Sequence, residues 1–126
     1  WGIDPTRLLV VRPTNDKDVQ WSLDQIVRCA HVAAVLSWPD RLEPRTFRRL
    51  QLAVETSGGL GLLVRPETAR AEPSWAAVRW LVCPRASSAG WRLHVRLLRL
   101  HGGLNQGEAI LEIDPQTGTV HPAQGS

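Results

Sequence analysis

The chain has no methionine, no tyrosine, one phenylalanine and one lysine among its 126 residues. With Lys17 as its single lysine, the sequence leaves little room for lysine chemistry. A Schiff-base amine, or the phosphate-gripping lysine of a P-loop, must stand at a defined place in a defined motif. Neither G-x-x-x-x-G-K-S/T nor G-x-G-x-x-G occurs. Two cysteines, Cys29 and Cys83, are too few for a disulfide scaffold; both stand in apolar company, which predicts buried free thiols in a reducing compartment. No apolar run approaches the ~20 residues that cross a bilayer, and the first residues lack the charged region and apolar stretch of a leader. The expectation is a soluble, cytoplasmic protein without membrane contact.

What is present is biased. Fourteen of the fifteen basic residues are arginine and six of the seven aromatics are tryptophan. Arginine offers a fixed fork that suits carboxylates, phosphates and protein interfaces. The net charge of +3 is unevenly spread: residues 1–40 carry −1, residues 41–101 carry +7 and residues 102–126 carry −3. Positive potential in the middle of the chain can steer an anionic partner, such as nucleic acid or an acidic protein face; the plainer reading is a solvated surface. The sequence opens on Trp1-Gly2, which reads as a fragment or a processed piece.

Hydrophobic spacing gives the order of elements. Leu8-Leu9-Val10-Val11 is a continuous apolar run of strand length and predicts a strand buried on both faces. Thr14, Asn15 and Asp16 offer caps for an amphipathic helix carrying Val19, Leu23, Ile26, Val27 and Ala30. Residues 32–36 read as a second buried strand. Pro44 then suits a first helical position, and Phe47, Leu50, Ala53 and Val54 line the buried face of a second helix that Gly58-Gly59 stops. Residues 60–64 form a third buried strand, which completes βαβαβ and implies parallel pairing. Residues 75–82, 91–100 and 108–113 read as longer strands in an antiparallel meander, so one mixed sheet is expected, with helices packed on it. Asp114 to Gly118 is a turn, and residues 114–126 make a C-terminal tail.

Catalytic and metal motifs are thin. Gly58-Gly59-Leu60-Gly61 lies before a strand, where a phosphate cradle would lie after one. Cys29-x-His31 is one close pair without a second, so no metal site is read and no cofactor is expected. Ligands of an open α/β sheet gather beyond the carboxyl ends of its parallel strands, and those ends offer Arg12, Ser37 and Arg65. A nucleotide hydrolase would place a magnesium-binding aspartate where Ser37-Trp38 stands. A serine hydrolase would need a glycine-flanked elbow, and Ser37 sits between Leu36 and Trp38. Hydrolysis is therefore disfavoured.

Two surfaces stand out instead. At ~100° per residue, Arg45, Arg48, Arg49 and Leu52 share one face of the second helix, opposite its apolar stripe. A leucine within an arginine cluster suits an interface; a solvated face with one stray leucine is the alternative. In residues 91–100, Arg92, His94 and Arg96 alternate with Leu93, Val95 and Leu97, and Arg99 follows. That basic strand face is either a plain exposed face or a groove for phosphates or another chain.

The run Gly2-Ile3-Asp4-Pro5-Thr6-Arg7-Leu8-Leu9-Val10-Val11, His31-Val32-Ala33-Ala34-Val35-Leu36-Ser37-Trp38, Arg48-Arg49-Leu50-Gln51-Leu52-Ala53 with Gly58-Gly59, and Leu98-Arg99-Leu100-His101-Gly102-Gly103 resemble the RecA-like fold. More closely, they resemble its ImuA and SulA branch. The resemblance covers about residues 2–113 and implies a single RecA-like domain over 1–126 without its P-loop strand. It places Ser37 at a degenerate magnesium position. It also implies a non-catalytic interaction module of the bacterial SOS DNA-damage response: an ImuA-type accessory factor for translesion synthesis that contacts a recombinase or an error-prone polymerase. The alternatives it leaves open are a SulA-type inhibitor of the division protein FtsZ, and an ATPase whose P-loop lies in a missing N-terminal segment. Weak nucleic-acid contact through the +7 segment is a further expectation. In a RecA-like sheet the P-loop strand lies beside residues 60–64, so an upstream segment, another chain or closure of the flanking strands is expected to fill that slot.

Overall fold

The computed structural model describes residues 2–87, 90–103 and 107–123. Its contacts divide the chain into two compact units, residues 9–75 and residues 1–8 with 76–126.

The first unit is a helix pair on a two-stranded parallel sheet. Asn15 caps helix α1 (Asp16–Arg28) by accepting from the Asp18 backbone N–H at 2.9 Å, satisfying one of the donors that a helix start leaves unpaired. Strand β1 (Ala34–Ser37) follows, then helix α2 (Pro44–Ser57) and strand β2 (Leu60–Leu63). Proline opens α2 at its first turn, as its fixed φ allows. Gly58 closes it in the left-handed region at φ 73°, where a side chain would be strained. Leu23 and Val27 of α1 and Phe47, Leu50 and Ala53 of α2 are buried together with Leu42 and Ala69. The helical spacing read from the sequence is thus the spacing that builds the core.

Strands β1 and β2 pair in parallel, Ala34 with Leu60 through Ser37 with Leu63. Gly61 lies on the side facing α2, where an added Cβ would come 3.5 Å from the Val54 side chain. The other side carries Leu36, Leu60 and Leu62, all exposed.

The second unit is an antiparallel sheet ordered β3 (Val78–Arg85), β4 (Trp91–Leu100), β5 (Glu108–Ile113), β6 (Val120–Pro122). Asp114 shapes the β5–β6 turn: its carboxylate accepts from the backbone N–H groups of Gln116 (2.7 Å) and Thr117 (3.3 Å), and Gly118 closes the turn at φ 71°. Those two donors hold the Asp114 carboxyl below the usual carboxylate range, since they favour its charged form.

Several expectations need correction. Leu8-Leu9-Val10-Val11 forms no strand. Pro5–Arg7 make a 3-10 turn capped by Asp4, and the run beyond it is exposed, Leu9 to 80%. An apolar run becomes a buried strand only if a ladder accepts it, and among the described residues none does. Among the described residues the strands form two sheets in place of the single mixed one, β1 with β2 and β3 through β6 in order, with no ladder between residues 60–64 and 75–82. The strand expected over 75–82 starts later, at Val78, and runs to Arg85. The turn expected over 114–118 forms, but residues 120–122 of the expected tail make strand β6. Cys29 is exposed and Cys83 half-buried; both are free. The α/β class itself stands, with parallel strands first and an antiparallel meander after them.

Candidate functional site

The exposed side of α2 is built by the same periodicity that buries its other side. With Phe47, Leu50 and Ala53 turned into the core, Arg45, Arg48, Arg49 and Leu52 are left outside, and Leu52 is 45% exposed. The four do not act alike. Arg49 donates from Nε to Asp24 of α1 at 3.0 Å. Asp24 also takes two bonds from Arg28, at 3.0 and 3.2 Å. Hydrogen bonding from Arg28 foremost, aided by the charges of Arg28 and Arg49, holds the Asp24 carboxyl below its ordinary range against an opposing push from partial burial. Arg49 is thus a tie between the two helices.

Arg48 turns the other way. Its guanidinium lies over the Trp75 ring, 4.8 Å from the centroid, and it also donates to Gln51, which in turn donates to Glu55. Arg45 makes no ion pair among the described residues, and the first turn of α2 contains no acid to offset it. The resulting surface is Arg45, Arg48, Leu52 and Trp75. Trp75 is its unexpected member, because it reads as the start of a strand in the sequence. A cation held on an indole is a pairing between residues 27 apart, and spacing cannot show it.

Beyond the carboxyl ends of the parallel strands, Ser37 ends β1, and its carbonyl accepts from the Val64 N–H at 2.9 Å. Arg65 reaches Glu72 (2.7 Å) and the Asp40 carbonyl (3.4 Å), while its buried Nε has no partner among the described residues. No group of three or more histidine, cysteine or acidic side chains is placed to hold a metal among the described residues.

The basic strand face gains a residue through a bulge. Cross-strand pairs share a face, and the β3–β4 register runs Trp80 with Leu97 but Arg79 with Arg99, leaving Leu98 as the extra residue. That shift brings Arg99 to the side of Arg92, His94 and Arg96; simple alternation would send it to the opposite side. Arg79 and Arg85 of β3 join them, and so do Glu108 and Glu112 of β5. Arg92 is bonded to Glu112 (Nε to Oε1, 3.0 Å). His94 Nδ1 accepts from Arg85 at 3.0 Å, so its Nε2–H donates to Glu108 at 3.1 Å. Among the described residues this face is a charge ladder of five arginines and two glutamates.

A cleft of about 350 Å3 opens at the turn end of this sheet, lined by Trp91, Glu112, Asp114 and His121. Its acids already serve Arg92 and the Asp114 turn. Among the described residues no helix is long and apolar enough to cross a membrane. No protein-family model matches the chain, and no curated protein matches it.

Proposed function

We propose that the chain is a non-catalytic protein-interaction module with a RecA-like ancestry, acting as an ImuA-type accessory factor in SOS translesion synthesis. The observation that carries the reading is the α2 surface, where Arg48 stacked on Trp75 stands beside exposed Leu52 and Arg45. Arginine and tryptophan are the residue types that dominate interface energetics, and stacking fixes the guanidinium before a partner arrives. Ser37-Trp38, where a nucleotide hydrolase would carry its acid, supports a role without catalysis.

A pull-down against a recombinase filament, a damage polymerase and FtsZ tests the reading. Capture by the recombinase or the polymerase is expected, and Arg48→Glu with Trp75→Ala should weaken it at least tenfold while the fold persists. Capture by FtsZ alone replaces this reading with a SulA-type one. Calorimetry with Mg-ATP should be flat; micromolar binding would move the chain to the ATPase class.

The basic excess on the β3–β4–β5 face favours one subsidiary role, weak sequence-independent contact with nucleic acid. Such contact should fall steeply between low and moderate salt, because each neutralised phosphate releases counterions.

A further inference from the structure

The other side of the four-stranded sheet takes no part in either surface. The register places Trp80 with Leu97, Val82 with Val95 and Ala109, Leu93 with Leu111, and Trp91 with Ile113 on this side, and Val120 with Pro122 extends it on β6. No charged or polar side chain interrupts it. Its tryptophans are open, Trp80 at 56% and Trp91 at 66% exposed, while Leu93, Val95 and Leu97 between them are half-buried, and no described residue of the sheet reaches the burial of the helical core. A sheet is stable in water only with its apolar face covered.

The edges of the sheet narrow the kind of cover. β3 carries Pro84, which lacks an N–H, and β6 is three residues long and ends in Pro122. Short strands and proline are the devices that block strand addition, so a partner approaches face-on. Four strands at their ordinary spacing and ten residues of β4 give a face about 20 Å by about 30 Å. Because β5 has six residues and β6 three, the plan lies below about 600 Å2, the area of that rectangle, which is the size of a modest two-fold contact rather than the roughly 800 Å2 per partner of a standard interface. A charged surface laid here would be desolvated without compensation. A two-fold contact, in addition, requires a patch to be its own complement; a face without charge meets that condition, and the arginine-rich face behind it does not.

We propose that this apolar face packs against the same face of a second copy of the chain, forming a closed two-fold dimer in which two sheets lie face to face. Trp80 and Trp91, six residues or about 20 Å apart along β4, are its anchors. The dimer leaves the charge ladder on the opposite side of the sheet available, and it does not depend on the partner assigned to α2.

Sedimentation velocity on the full chain between about 1 and 200 μM tests the proposal. Twice the 14.0 kDa chain mass is expected at the upper end. Trp80→Glu should raise the dimer dissociation constant at least tenfold with an unchanged circular dichroism spectrum. Val82→Lys, a smaller change on the same face, should do likewise and carries the test if Trp80→Glu does not fold. Leu36→Glu on the parallel sheet and Arg96→Glu on the charged face should leave the dimer intact. A monomer throughout the range overturns the proposal. So does an open-ended polymer, or a dimer that Leu36→Glu dissolves and Trp80→Glu does not.

Discussion

Residues 9–75 and the four-stranded sheet solve the same problem in opposite ways. Every buried apolar side chain among the described residues, from Leu23 to Ala69, belongs to the first unit, where two amphipathic helices close on each other and on β1 and β2. The sheet contributes none, although among the described residues it has the longest strand and the longest ladder. A helix can hide a stripe by pairing with one neighbour. A single-layer sheet exposes two faces and can hide at most the grooves between its own side chains. Backbone order and burial are therefore separate achievements. In the sheet, the ladder supplies order and the apolar cover must come from a second layer.

The largest test of this contrast is a pair of truncations. Leu50→Ala removes a buried side chain from the helix pair and should cost about 2–5 kcal/mol in denaturant unfolding. Val95→Ala, half-buried in the sheet, should cost about 1 kcal/mol or less at concentrations where the chain is monomeric. Equal losses would mean that the sheet is covered as thoroughly as the helices, and the contrast would fail.

A smaller effect probes how the helical unit is bounded. Gly58 takes φ 73° at the end of α2, and nothing lies within 4 Å of where a Cβ would stand. Gly58→Ala should therefore cost about 1 kcal/mol from backbone strain alone, with no steric clash to enlarge it. A loss above about 3 kcal/mol by thermal melting would point to a contact that the free space rules out.

Next comes the ion-pair node between the helices. The Asp24 carboxyl is held below its ordinary range in the fold by Arg28 and Arg49, so it favours the folded state while it is charged. That contribution is complete above the unfolded carboxylate range and fades as the pH falls through the folded value, below about pH 4. Asp24→Asn should lower stability at pH 7 by about 0.5–1 kcal/mol, since both arginines are half exposed, and should flatten the acid limb of the pH profile. An unchanged acid limb would show that other carboxylates carry it.

How much of this was legible follows the range of the forces. Both helices were readable nearly to the residue, because the Asn15 cap, Pro44, Gly58 and the apolar spacing are all local. The bounds of β4 and β5 were readable for the same reason. What failed was pairing. Leu8-Leu9-Val10-Val11 has the composition of a central strand, but composition cannot supply the neighbour that makes it one. The break between β2 and β3 is likewise a decision about partners far apart in sequence. β6, with three residues and a proline, lacks the length for a signal. The surfaces divide in the same way. Arg45, Arg48 and Leu52 follow from helical azimuth. Trp75 beneath Arg48, the pull of Asp24 on Arg49, and the glutamates set among the strand arginines depend on where other elements land.

The finest test compares the charge ladder with that helical node. Arg92 and Glu112 sit directly opposite across β4 and β5, each about one third exposed, and no second arginine shares Glu112 among the bonds described. Asp24, by contrast, is 14% exposed and held from two sides. Attraction weakens as solvent enters, so a double-mutant cycle of Arg92→Ala and Glu112→Ala should give a coupling of only about 0.2–0.5 kcal/mol at low salt. In 0.5 M NaCl it should fall toward zero, as the screening length shrinks to about 4 Å. The Asp24–Arg49 coupling, measured in the same way with Asp24→Asn and Arg49→Gln, should keep most of its value, because its carboxylate is shielded from the screening ions. If both couplings disappear together in salt, the helical node is as solvated as the ladder, and the difference in burial between the two units does not extend to their charges.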